Sequence, residues 1–385
     1  MLALTLTSGI FAFVLFAGRS FYIDETTYAR LAYAISQGHL ATVSSMWSIY
    51  HNLGYTRPDL YTPFGSINTV EPWFDHPFLV PLLTAPIVIL GGSPRILPIM
   101  LSASSTILIY AILRDQRTLA WFSVGIWIVL LLTQPLLSML FLDSGVGFFN
   151  LLTLALVNEH SKTDSKKYLY TGGVTAGLSA LSKLFGLASI IFLLAYGLTR
   201  YRKQILRSKP MVISILLSIL IALTWPVYAL SQAGSLFIQI QLANGSRSAF
   251  SFRNFSIPIF QSNYEYTTVF LGSGVIFALV LGWLALLYSV RSGRLRLVQL
   301  CFYSYVSVVA VLHYLGFYTV IPALPFLAIG IGQLVMEIFG RTRKTVTYLF
   351  ERRRLMAVLS GSDGILNSPD ALQIYQNLVN SKISA

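Results

Sequence analysis

Residues 169–198 read LYTGGVTAGLSALSKLFGLASIIFLLAYGL. One helix over this run would be about 45 Å long at 1.5 Å per residue, against a hydrocarbon core of roughly 30 Å. Its single cation, Lys183, and the nearby Gly186 mark a break. The run is therefore expected to cross a bilayer twice.

The remainder of the chain also treats lipid as its solvent. Hydrophobic residues make up 55% and charged residues 11%, with a mean hydropathy of +0.69, more apolar than a solvated surface tolerates. Expected spans are Met1–Gly18, Leu97–Leu113, Leu119–Thr133, Ser144–Val157, the two crossings within 169–198, Met211–Leu230, Thr267–Val290, Gln299–Leu312 and Val320–Ile338. The first carries no charge and is followed by no small-residue cleavage site, so it reads as a retained anchor. Phe78–Leu90 is short for a span and is preceded or interrupted by Pro77, Pro81 and Pro86, each of which removes a backbone donor. It is expected to re-enter or to lie in the interface. Cys301 is the single cysteine, so no intrachain disulfide forms.

With these choices the basic segments fall on one face: Arg114 and Arg117, 159–168, 200–209, 291–296 and the tail from Arg341. The positive-inside rule makes that face cytoplasmic, with both termini there. The net charge of +13 then reads as inner-leaflet anchoring to membrane lipids, with no nucleic acid partner. The chain divides into a transmembrane module over 1–340 and a basic cytoplasmic tail over 341–385. In that tail Ser368-Pro369-Asp370 marks a helix start, and Leu372, Tyr375 and Val379 form a small apolar face.

The opposite face holds the chemistry. Between Arg19 and His76 lie Asp24, Glu25, Asp59, Glu71 and Asp75, five of the chain's 14 acidic residues. After Asp24, the apolar residues Tyr28, Leu31, Ala32 and Ile35 recur at helical spacing up to Gly38, which predicts a helix lying on the membrane surface. Asp24 fits its N-cap and equally fits a general base held at the bilayer surface. In Glu71-Pro72-Trp73-Phe74-Asp75-His76-Pro77, Trp73 and Phe74 suit interfacial anchoring, whereas Asp75 needs a partner or a task. Asp143, isolated between apolar stretches, is either the N-cap of the following helix or a functional acid. Lys183 either snorkels to a lipid phosphate or binds a substrate phosphate.

The pattern of Asp24-Glu25 and Tyr28, then Asp75-His76-Pro77-Phe78-Leu79, then Asp143 ahead of an aromatic-apolar span, then Gly177-Leu178 leading to Lys183 resembles the GT-C membrane glycosyltransferases. The likeness is to the branch with the protein O-mannosyltransferases and lipid A aminoarabinose transferases. It is carried mainly by the first half of the chain and extends to the segment at 318–325. It implies an all-α polytopic membrane protein, a GT-C-like bundle of about ten transmembrane helices with a large first outer loop containing interfacial helices. It also implies an inverting enzyme that moves a sugar from a polyprenyl-phosphate donor to a protein, lipid or glycan acceptor at the extracytoplasmic face. On these positions Asp24 is the base, and Glu25 and Asp143 position it or the acceptor. His76 neighbours the donor phosphate, and Tyr28, Glu71, Asp75, His313 and Tyr318 serve acceptor binding or support. Phe78 stands where the family commonly has a second proline.

The chemistry requires cations for the departing phosphate, and Arg57, Lys183, Arg247 and Arg253 are the outer-face candidates. No cofactor is required by this reading, although Asp24, Glu71 and Asp143 would also suit a hard divalent metal. The alternative is a transporter or flippase of a lipid-linked or small polar substrate, because charges at membrane depth also mark substrate paths. The matched, repeated halves typical of transporters are not found in the sequence.

Overall fold

The structure, a computed structural model, describes residues 1–16, 18–19, 23–36, 77–235, 237–238, 272–289, 295–312 and 317–339. Every regular element among them is helical. In chain order these are α1 (Leu2–Phe16), α2 (Ile23–Ser36), α3 (Leu79–Ile89), α4 (Ile96–Leu113), α5 (Arg117–Thr133), α6 (Leu142–Thr163), α7 (Lys166–Ser182), α8 (Leu187–Tyr201), α9 (Lys209–Ala233), α10 (Ser273–Tyr288), α11 (Arg296–Leu312) and α12 (324–339). Short 3-10 turns at Pro135–Ser138, Leu184–Gly186 and Phe317–Ala323 make three of the connections. Four stretches are long and apolar enough to span on composition alone: Ile96–Leu113, Leu184–Tyr201, Lys209–Ser231 and Thr319–Phe339.

The break expected in 169–198 is present. α7 stops at Ser182, Lys183 is extended at φ −165° and ψ 155°, and a 3-10 turn leads into α8. A Cβ on Gly186 would lie 1.9 Å from the Ser179 carbonyl oxygen, so the reversal packs backbone against backbone and only glycine fits. α8 then returns alongside α7. His160 Nε2 meets the Tyr201 hydroxyl at 3.2 Å and Arg200 pairs with Asp164, which brings the end of α8 back beside the start of α7.

α6 is the central helix, packed by α4, α7 and the 317–323 turn. Its polar side chains find partners inside the bundle. The Thr153 and Thr175 hydroxyls bond at 2.8 Å, Asn150 Oδ1 accepts from Ser179 and Ser189, and Asn158 Nδ2 donates to the Ile112 carbonyl at 3.2 Å. Small residues allow the close approach, since a Cβ on Gly173 would lie 2.3 Å from the Ser214 carbonyl of α9.

These contacts define two ends of the bundle. At the first, Arg114 bonds Glu159 at 2.9 Å and Lys162 bonds Asp115 at 2.5 Å. Asp115, exposed in the α4–α5 turn, has its carboxyl held below the usual 3.8 mainly by the Lys162 hydrogen bond. Arg117, Lys166, Lys167, Arg202, Arg207 and Lys209 belong to the same end, as does the stacked Phe122–Phe339 pair that fixes the end of α12. α1 runs away from this end, because the Phe16 carbonyl reaches Arg95 at the other.

α2 and α3 lie at that second end. Leu31 and Ala32 of α2 are buried at 3% and 0% exposure, as the apolar stripe predicts. α3 does not cross the bundle. Val80 packs with Leu97, Leu140 and Leu142, and Ile87 joins the same cluster, while Leu79 packs with Leu181 and Trp225. Both ends of α3 therefore stay with the second-end elements.

Candidate active site

At the second end three of the charged residues that the sequence singled out, Glu25, Asp143 and Lys183, stand in two buried ion pairs. Asp143 occupies the first turn of α6 and Lys183 the extended residue after α7, 40 positions later. Lys183 Nζ donates to Asp143 Oδ2 at 2.8 Å, with the two side chains 6% and 1% exposed. Lys183 therefore does not snorkel. Asp143 Oδ1 is buried and has no hydrogen-bond partner among the described residues. A buried carboxylate oxygen in that state is costly unless a donor reaches it. A Cβ on Gly145 would lie 2.7 Å from both Ser182 Oγ and Val80 Cγ2, so α3, α6 and the end of α7 close tightly around the pair.

The second pair joins Glu25 to Arg95. Arg95 Nε and Nη2 donate to the two Glu25 oxygens at 2.9 and 2.8 Å, with side-chain exposures of 1% and 0%. Arg95 Nη1 also donates to the carbonyls of Phe16 and Arg19, both at 2.7 Å. Planar, bidentate pairing of this kind fixes orientation as well as distance. Sequence reading missed Arg95. The signal was the one used for Asp143, an isolated ionisable residue at the edge of an apolar run, in Pro94-Arg95-Ile96.

Asp24 lies in the first turn of α2, since that helix begins at Ile23. This corrects the N-cap expectation by two residues and places Asp24 in the turn where a helix N-terminus favours negative charge. Its side chain lies outside the described residues, as does that of Tyr318 in the 317–323 turn. Tyr28 is half-buried on α2 against the cluster of Val80, Leu97, Leu140 and Leu142. Arg57, Glu71, Asp75, His76, Arg247, Arg253 and His313 lie outside the described residues, together with Asp59, Gly38 and the tail over 341–385. Among the described residues no group of three His, Cys, Asp or Glu side chains could hold a metal ion. Of the metal candidates Asp24, Glu71 and Asp143, only Asp143 has a described side chain.

No protein-family model and no curated protein matches the chain. Solved structures do. The crystal structure of ArnT from Cupriavidus metallidurans bound to undecaprenyl phosphate aligns with a TM-score of 0.60 at 15% identity, covering 99% of this chain and 71% of that one. The fold is that of ArnT. The apo ArnT structure gives a TM-score of 0.58 at 14% identity, over 99% and 70% of the two chains. This likeness in fold agrees with the resemblance expected from the first-loop Asp-Glu and the lone Asp143. The ArnT likeness extends along nearly the whole chain, including the second half, where the sequence resemblance was slighter. The all-α polytopic membrane architecture is thereby established.

Proposed function

We propose that the chain is an inverting glycosyltransferase that transfers a sugar from a polyprenyl-phosphate donor to an acceptor at the second end of the bundle, on the extracytoplasmic face. The observation that carries this reading is the buried Asp143–Lys183 pair, with one carboxylate oxygen that has no partner among the described residues, at the same end as the Asp24 turn, on a fold like that of ArnT, whose crystal structure holds undecaprenyl phosphate.

In the proposed step an acceptor hydroxyl or amine gives its proton to the Asp24 carboxylate as its lone pair attacks the anomeric carbon. The bond from that carbon to the phosphate oxygen breaks, and its electron pair leaves with the lipid phosphate. Asp143 Oδ1 accepts a hydrogen bond from the acceptor and orients it. Lys183, already held by Asp143, supplies positive charge near the leaving phosphate. Arg57, His76, Arg247 and Arg253 are the further phosphate-binding candidates, and Glu71, Asp75, His313 and Tyr318 remain support candidates. The basic first end would face the cytoplasm.

The test is purified protein in lipid nanodiscs, incubated with radiolabelled undecaprenyl-phosphate hexoses and pentoses and a membrane extract as acceptor source. Label should leave the donor lipid and appear in the extract, with inverted anomeric configuration. Flipping of intact donor across the bilayer without loss of its sugar would instead support a flippase.

A further inference from the structure

Glu25 does more than pair with Arg95. Its Oε1 also accepts a hydrogen bond from the Leu140 backbone N–H at 2.9 Å, three residues before Asp143 in the connection that opens α6. Arg95, from the residue that opens α4, meanwhile reaches the carbonyls of Phe16 and Arg19 at the end of α1. One fully buried carboxylate therefore joins the turn that carries Asp24 to the segment that carries Asp143, and one guanidinium holds that carboxylate against α1 and α4.

Apolar packing alone would hold α2 less strictly. Leu31 and Ala32 bury its stripe, but such burial is non-directional and lets a short helix slide or rotate. A bidentate ion pair in a low-dielectric interior is directional in distance and plane. We infer that Arg95 and Glu25 are positioning residues that set the separation of Asp24 from Asp143, and that Glu25 itself exchanges no proton with substrate. This rests on the transferase reading above. Glu25 is 0% exposed with both oxygens engaged, which keeps it away from an incoming acceptor. Lysine cannot replace Arg95, since an ammonium is a point charge without the fork. A displacement of about 1 Å at a reacting centre costs on the order of a hundredfold in rate.

The test compares wild type, Arg95→Lys and the double variant Glu25→Gln/Arg95→Met in nanodiscs. The double variant removes both charges, so its folding is protected, while the amide oxygen that replaces the carboxylate can still accept from the Leu140 N–H. Three readouts are taken: thermal unfolding, transfer from the labelled donors per folded molecule, and the spin-label distance between Tyr33→Cys and Thr133→Cys in a Cys301→Ala background. Positioning predicts a double variant that melts near the wild-type temperature, with kcat about 100-fold lower, donor KM within about twofold, and a broadened α2 distance distribution. Arg95→Lys should show the same kcat loss if it folds. Wild-type kcat in the double variant, or an unchanged distance distribution, overturns the inference. Absence of transfer by the wild type sinks the transferase reading instead, and the distance arm still decides whether the pair fixes α2.

Discussion

Lys183→Met is the most informative single substitution, because the structure changes its expected cost. For a lysine that snorkels, methionine would preserve the stem and stability would barely move. Here the ammonium lies 2.8 Å from Asp143 Oδ2 with both groups nearly sealed from solvent. At an effective dielectric near 20, charges at that distance attract by about 6 kcal/mol, much of which offsets desolvation. Removing one partner leaves a buried carboxylate uncompensated, at a cost of about 3–5 kcal/mol. Against a total stability of about 5–15 kcal/mol this is severe. Replacing both, as Lys183→Met/Asp143→Leu, should recover most of the loss, since an apolar pair of similar volume is often neutral. The assay is a double-mutant cycle of unfolding free energies measured by SDS titration in mixed micelles. If either single change costs about 3–5 kcal/mol and the double change about 1 kcal/mol, the expected coupling is about 5 kcal/mol or more. A coupling under about 0.5 kcal/mol would show that the two groups do not depend on each other, and the paired site would lose its physical basis.

Asp24→Asn should leave melting unchanged and abolish transfer, because an amide keeps the shape but cannot accept the proton; near-normal turnover would remove Asp24 from the base role. With Cys301 replaced by Ala, a cysteine at Ser246 should react from outside with an impermeant thiol reagent and one at Thr163 should not. The reverse labelling would put the Asp143 end in the cytoplasm. Gly186→Ala should reduce folded protein sharply, by about 3 kcal/mol or more, because its Cβ meets the Ser179 carbonyl at 1.9 Å, whereas Gly125→Ala, with nothing within 4 Å, should be neutral in the same unfolding assay. Asp115 has a depressed folded-state pKa, so its contribution is present above 3.8 and lost as pH falls through the folded value. Being largely exposed, it should separate wild type from Asp115→Asn by under about 1 kcal/mol at neutral pH, with the gap closing in acid.

What the sequence alone determined is what can be read within one or two helical turns or from the thickness of a bilayer. The run at 169–198 is too long for one crossing and contains a cation, so its division at Lys183 was legible. The spacing of Tyr28, Leu31 and Ala32 gave α2 its buried face, and the prolines of Phe78–Leu90 marked a segment that does not span. Partnership was not legible. Glu25 meets Arg95 across 70 positions and Leu140 across 115, and Asp143 meets Lys183 across 40. No local periodicity encodes such pairs, because they depend on which helix ends the bundle brings together. Arg95 had no part in the sequence reading, and its role emerges only because the end of α1, the first turn of α2 and the start of α4 converge on it. The sequence left Lys183 either snorkelling or binding a substrate phosphate, and the meeting of α6 with the end of α7 makes it the counter-ion of Asp143: in a low-dielectric interior a charge must find an opposite one, and only the tertiary packing decides which is within reach.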